Sequence, residues 1–211
     1  VFAKLQRDYK NALYLSLFTI LANLVEGTFS TILGQRDGTL ALFGFGLDSF
    51  IEVISAVGIT VMILRIAREP ESPLSKFEVS ALKVTGISFY LLTAGLVITA
   101  ILNLVTGAKP ETAISGLIIS LISLSVMIFL YRAKMGVGGR LNSDPIIADA
   151  NCTKTCIYMS LVLLGSSLIY TLTGFGFIDT IGAVGLAWFS FTEGRESFEK
   201  ASRRMYDSCC D

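Results

Sequence analysis

Two stretches of this chain, Val84 to Ala108 and Thr112 to Tyr131, contain no charged residue at all. Each is long enough to cross a bilayer as a helix, which takes about 20 residues. In lipid every backbone N–H and C=O has to be satisfied internally, so runs of this kind cross as helices. Three further runs are apolar but for a few polar residues. Ala12 to Leu33 is broken by Asn23 and Glu26, Leu40 to Leu64 by Asp48 and Glu52. Ile146 to Leu172 carries Asp149, Cys152, Lys154 and Cys156 in its first third. A sixth run, Gly174 to Thr192, is short and holds Asp179 near its outer edge, where it reads as a helix N-cap or first-turn residue. Composition agrees with this: 53% of residues are hydrophobic and only 16% charged, with a mean hydropathy of +0.67. A soluble domain carries about a quarter charged residues. The expected fold is an all-α membrane protein of six transmembrane helices, not the core helices of a large soluble protein.

The connections fit six crossings. GQRDGT and GAKPET are short turns, whereas REPESPLSK and RAKMGVGGRLNSDP are longer and polar, the second ending in Ser143, Asp144 and Pro145, a capped helix start. Of the 17 Lys and Arg residues, all but Arg36, Lys109 and Lys154 fall on one side. That bias places both termini in the cytoplasm, in a cell membrane of bacterial inner type. The organisation expected is a cytoplasmic leader (1–11), a transport domain (12–192) and a short cytoplasmic tail (193–211). The chain opens at Val1 without a signal-peptide pattern, which reads as a trimmed or processed terminus. The four cysteines do not make a secreted disulfide framework. Cys209 and Cys210 in the tail read as metal-capturing thiols or, preferably, as part of a disordered end.

Ionisable groups at membrane depth are rare and mark ion or proton paths. Asp48 and Glu52, at i and i+4, share one helix face. Cys152 and Cys156 have the same spacing on the fifth run. The second and fifth helices run in opposite directions. At ~1.5 Å per residue Glu52 sits roughly 18 Å into its helix and Cys156 roughly 15 Å into its own. Both are therefore near the middle of a hydrocarbon layer about 30 Å thick. Four ligands at one depth is the number a tetrahedral metal site uses.

These residues resemble the cation diffusion facilitator family of divalent-metal antiporters, whose six-helix domain carries an acid or histidine pair in helix 2 and another in helix 5. GFGLDSFIEVIS looks like the helix 2 run. LNSDPIIADANCTKTCIYMS, with Ala148, Asp149 and Ala150 in place, looks like the helix 5 run, and FIDTIGAVGLAWFSFTEGRESF resembles helix 6. The resemblance implies a bundle of two three-helix halves, with Asp48, Glu52, Cys152 and Cys156 as metal ligands. It also implies efflux of a metal by alternating access in exchange for protons, and a homodimer. Three departures matter: Glu at 52 for the usual Asp, thiols at both helix 5 positions, and only a short tail where the family commonly has a cytoplasmic C-terminal domain. Dimerisation would then rest on the membrane helices.

Ligand chemistry narrows the cargo. Two thiolates with two carboxylates suit Zn(II) or Cd(II), then Fe(II), Co(II) or Hg(II); Mg(II) and Ca(II) avoid sulfur, and Cu(I) prefers sulfur without carboxylate. Zinc is the default expectation. Ligands of these types release protons when a metal binds, so the four can themselves be the proton carriers, Asp48 and Glu52 first. No resident cofactor, enzymatic activity or nucleic-acid partner is expected; the partners are the metal, protons and the bilayer. The alternatives are a non-transporting metal sensor or accessory subunit, and a membrane thiol oxidoreductase using Cys152 and Cys156, which lacks an accompanying Cys-x-x-Cys motif.

Duller readings stand beside each residue. Asp48 and Glu52 can form a structural ion pair, with Lys154 as partner, and the two cysteines can be small buried hydrophobes. A disulfide between i and i+4 of one helix is geometrically disfavoured. Asp149 is either a ligand met by an ion arriving from the cytoplasm or a carboxylate at the helix amino end. Lys154, two residues from each cysteine, points away from the site. Asn23, Glu26 and Ser30 form a polar seam that either lines the exit path or ties helices together. Ser55 and Ser160 read as packing or supporting groups.

Overall fold

The computed structural model describes residues 2–68, 76–106, 114–141 and 144–210. Apart from the turns, these form six helices: α1 (Phe2–Arg36), α2 (Leu40–Arg68), α3 (Lys76–Thr106), α4 (Ile114–Leu141), α5 (Asp144–Thr173) and α6 (Phe177–Cys210). Five contain a stretch long and apolar enough to cross a membrane; in α6 the apolar part is shorter. α1 ends because Gly38 adopts a φ of 66°, left-handed backbone that glycine reaches without steric cost. The N–H groups of Asp37 and Thr39 then return to the carbonyls of Leu33 and Gly34 at 2.8 and 2.9 Å, closing the helix end. Gly174, with φ 65°, turns α5 into α6 in the same way.

The helices overrun the apolar runs that announce them. α4 continues past Tyr131 to Leu141, taking in RAKMGVGGRL, which reads in the sequence as connection. α6 continues to Cys210, so the segment from 193 is a helical extension and not a disordered end, and α1 already starts at Phe2. Hydropathy marks where the hydrocarbon stops. Helix propensity, strong in a stretch such as RESFEKASRRM, decides where the helix stops.

The sidedness of α1 shows what surrounds the fold. Its buried stripe is Asp8, Ala12, Ser16, Thr19, Asn23 and Ser30, whereas Leu17, Leu21, Leu24, Phe29 and Ile32 are exposed. Polar groups inside and apolar groups outside reverse the soluble pattern. The same holds for Leu91, Ile98 and Leu102 on α3, Ile122 and Phe129 on α4, and Trp188, 66% exposed, on α6. An apolar surface on this scale is a lipid-facing one.

The most extensive helix pairs are α1·α2, α3·α6 and α4·α5, each antiparallel, followed by α2·α3, α1·α4, α5·α6 and α2·α5. This is the pattern two three-helix halves give when α1, α2 and α3 correspond to α4, α5 and α6. α1·α2 matches α4·α5, α2·α3 matches α5·α6, and the pairs α1·α4, α2·α5 and α3·α6 join the halves. Small residues set the closeness of the pairs. A methyl group on Gly27 would lie 3.1 Å from the Gly46 carbonyl, and one on Gly34 would run into the backbone of Phe43. Gly86 and Gly194 do the same for α3 and α6, each facing the other's carbonyl at 3.2–3.3 Å. Between the pairs lies a core of Leu42, Phe45, Phe89, Met159, Leu163 and Leu186.

Gly34→Val is therefore expected to destabilise the detergent-solubilised protein by about 1–3 kcal/mol, since neither helix backbone can move aside cheaply. Gly165→Ala, where nothing lies within 4 Å, is expected to be neutral or slightly stabilising. Thermal unfolding of both variants against the parent checks this; equal midpoints for Gly34→Val would show that the α1·α2 approach is not tight.

Candidate metal-binding site

The α1–α2 turn fixes which polar groups meet. Folding the two helices back about Asp37 and Gly38 lays Asn23 opposite Glu52 and Glu26 opposite Ser49. The Asn23 amide donates to Glu52 Oε2 at 3.0 Å and the Ser49 hydroxyl donates to Glu26 Oε1 at 2.9 Å. A little nearer the other end of the pair, Ser16 and Thr60 share a hydrogen bond of 2.5 Å. Asn23 and Glu26 of the α1 seam thus make interhelical hydrogen bonds that hold two carboxylates inside the bundle, whereas the buried Ser30 hydroxyl has no hydrogen-bond partner among the described residues.

Across the halves, the Cys156 thiol of α5 donates to Glu52 Oε1. This is the central contact between the two expected pairs: one acid from α2 and one sulfur from α5 touch. Cys156 is buried, as is Asp48, which is only 2% exposed. Behind Cys156, Ser160 donates to its carbonyl at 2.8 Å and shares a hydrogen bond of 3.1 Å with Ser123 of α4. Together with Asn23–Glu52 and Glu52–Cys156, this stitches α1, α2, α4 and α5 around one polar interior.

Two acceptors in that interior, Asp48 Oδ1 and Asn23 Oδ1, are buried with no hydrogen-bond partner among the described residues. Buried oxygens of this kind are uncommon and call for a reason. A cation satisfies them directly. Among the described residues, no group of three or more His, Cys, Asp and Glu side chains is assembled at the spacing that would hold a metal ion. The side chains of Cys152, Asp149 and Ser55 lie outside the described residues. What the structure brings together is therefore Glu52 with Cys156, and Asp48 one helical turn from Glu52. Lys154 is exposed with its ammonium 5.8 Å from the centre of the Tyr158 ring, so it turns away from Asp48 and Glu52.

Two charged residues near the site escape a reading by hydropathy. Glu193 of α6 accepts a hydrogen bond of 2.7 Å from Thr155, and its charge acts on both Asp48 and Glu52. The sequence reading assigns it to the start of the tail. Its position follows from the α5–α6 turn, because a hairpin that sets Gly182 against Ser166 and Gly185 against Val162 also sets Glu193 against Thr155. Lys134, counted in the sequence as a cytoplasmic loop lysine, is 1% exposed on α4 and donates to Thr153 of α5 at 3.0 Å. A lone lysine after an apolar run resembles an ordinary interfacial anchor, so only the packing of α4 on α5 reveals it.

Asp179 lies in the first turn of α6, as expected, yet its carboxylate serves another helix: it accepts from the N–H groups of Leu40 and Ala41 at 2.8 and 3.4 Å. It caps the amino end of α2, the helix that carries Asp48 and Glu52.

The sequence matches the cation efflux transmembrane domain over residues 13–205. It is 27% identical over 217 aligned positions to the magnetosome protein MamB of Magnetospirillum gryphiswaldense, covering 97% of this chain and 69% of that protein. MamB of Paramagnetospirillum magneticum is 26% identical, with 97% and 70% covered. The manganese efflux system protein MneP of Bacillus subtilis is 28% identical over 69% of this chain and 50% of its own length. Six helices, a buried acid–thiol contact between the second and fifth, and a family match across nearly the whole bundle lead to one conclusion: the chain is an integral membrane protein of the cation diffusion facilitator family, whose members carry metal cations across membranes.

Proposed function

We propose that this protein exports a zinc-like divalent cation in exchange for protons, holding the ion between α2 and α5 on Asp48, Glu52, Cys152 and Cys156. The observation that carries this is the buried Glu52–Cys156 contact beside the orphaned Oδ1 of Asp48. A thiol proton bridges two groups that are both good metal ligands. An arriving divalent ion takes the place of that proton, and the departing proton is the exchanged species. Asn23, donating to the other Glu52 oxygen, aims the carboxylate at α5.

Sulfur in the site favours Zn(II) and Cd(II), with Fe(II), Co(II) and Hg(II) next. The name of MneP links that relative to manganese; a site with sulfur ligands argues for a softer cargo here, since carboxylate and water suit Mn(II) better. Glu26 with Asn23 lines the outward path, and Asp149 lies where an ion enters from the cytoplasm, with both termini on that side. The carrier works as a homodimer in an inner-type bacterial membrane.

Flux in proteoliposomes tests the function. Asp48→Ala is expected to abolish metal-stimulated uptake, whereas a sensor or accessory protein would bind metal and move none even in the parent. Metal-dependent proton release from the purified protein is expected to fall in Glu52→Gln; an unchanged stoichiometry would show that other groups carry the protons. Cys156→Ser is expected to weaken Cd(II) and Zn(II) binding by at least the ~10–100-fold that loss of a mere supporting partner costs. Mn(II) should be affected far less, and titration of the three ions side by side reads the difference.

A further inference from the structure

The exposed face of α1 changes character along its length. Arg7, Lys10, Tyr14, Phe18 and Leu21 follow one another at spacings of three and four residues, so they share one stripe, and all five are exposed. From Tyr14 onward the stripe borders a groove of about 490 Å³ lined by Tyr14, Leu15, Leu17, Phe18 and Leu21 and, from α4, Phe129. The Tyr14 hydroxyl is the only polar side-chain atom in that lining. At a rise of ~1.5 Å per residue, Lys10 and Arg7 lie about 6 and 10 Å from Tyr14 toward the end of the bundle where α1 begins and α6 ends. That is just before the apolar run that opens at Ala12. Asp8, the only acid between residues 7 and 21, is buried and paired with Arg140 of α4 at 3.2 Å, so its charge is met by a third cation and the exposed pair keeps its own.

We propose that the groove between α1 and α4 is a binding site for an anionic phospholipid. Arg7 and Lys10 hold the phosphate, the glycerol ester lies at the Tyr14 hydroxyl, and an acyl chain runs along Phe18, Leu21 and Phe129. The order of groups along the stripe is the order of groups in such a lipid. Basic pockets between transmembrane helices take anionic headgroups, and tyrosine rings settle at headgroup level. A second copy of the chain is the other occupant an apolar face can have. Two copies related by a two-fold axis along the membrane normal meet level with level, so a contact on this stripe would set each basic pair against its own counterpart. Like charges disfavour that arrangement, whereas a phosphate between helix and solvent is complementary to both cations. Because α1 and α4 belong to different halves, the lipid lies across the seam between them.

Native mass spectrometry of the purified full chain, titrated with phosphatidylglycerol and with phosphatidylcholine of the same acyl chains, tests this. The parent is expected to retain phosphatidylglycerol in preference. Each charge removed should weaken that binding about fivefold, so Arg7→Gln/Lys10→Gln is expected to lose about 25-fold, while Arg7→Lys/Lys10→Arg stays within about twofold of the parent. Phe129→Ala, which takes away one wall of the groove, should weaken phosphatidylglycerol binding with the charges intact. Arg195→Gln removes an exposed charge of α6 and should match the parent, which separates a built site from the general attraction of anionic lipid to basic surface. Equal retention of the two lipids by the parent overturns the proposal. So does an Arg7→Gln/Lys10→Gln protein that loses no more than Arg195→Gln, or a Phe129→Ala protein that binds as the parent does. A Tyr14→Cys protein that oxidises in membranes to a dimer beyond the parent's level gives the groove to a second copy and overturns it as well. Should the double variant aggregate, Arg7→Gln and Lys10→Gln are read singly, with the fivefold loss expected and unchanged affinity as the refuting result.

Discussion

A carboxylate that cannot reach water has to be met by another helix, and the interior of this bundle is arranged around that demand. Glu52 is the clearest case. One oxygen accepts from Asn23 of α1 and the other from Cys156 of α5, so a single side chain ties three helices together. Glu26 of α1 likewise accepts from Ser49 of α2. In hydrocarbon the alternatives to such pairing are costly, and association of helices gains no hydrophobic drive from lipid. Polar contacts and close backbone approach are what remain, and both are used here. The glycines bring α1 onto α2 and α3 onto α6, and the acids are satisfied across the register that results.

That register is written in the turns. Once α1 is folded onto α2 about Asp37 and Gly38, the pairing of Asn23 with Glu52 and of Glu26 with Ser49 follows without further information. The same geometry about Gly174 delivers Glu193 to Thr155. The α2 helix, which holds both acids of the site, is in turn anchored at its start by Asp179. A carboxylate in the first turn of α6 therefore contributes to the placement of Asp48 and Glu52 through a helix it does not belong to.

Much of this was legible in the sequence, and the rest was hidden for a physical reason. Uncharged runs announce the helices because lipid leaves the backbone no other option, and the i and i+4 spacing of Asp48 with Glu52 announces a shared face. Hydropathy, however, reports the solvent of a residue and not its conformation. It ended α4 at Tyr131 and α6 at Thr192, where charged residues begin. The helices go on, and their extensions set Lys134 against Thr153 and Glu193 against Thr155 of α5. A lysine just past an apolar run looks the same in sequence whether it snorkels to an interface or is buried against the next helix. Arg132 and Lys134 sit two residues apart, and only the stripe on which each falls separates them.

The way the contacts divide between the halves bears on how such a bundle can move. Asn23–Glu52 and Ser49–Glu26 lie within the first half, Ser123–Ser160 and Lys134–Thr153 within the second. Glu52–Cys156 crosses between the halves, as do Asp37–Ser115, Asp8–Arg140 and the Asp179 cap. Of these crossing contacts, two lie near the helix ends and the cap holds the amino terminus of α2. Glu52–Cys156 is placed midway along both its helices, as is the hydrogen bond of 3.0 Å from Ser190 of α6 to the Phe89 carbonyl of α3. A contact between two groups of a type that bind protons or metals is thus located on the seam that a rearrangement of the halves would have to remake. Whatever binds at that acid and thiol therefore acts on the same pair of atoms that joins the halves, so binding and the arrangement of the bundle are not independent.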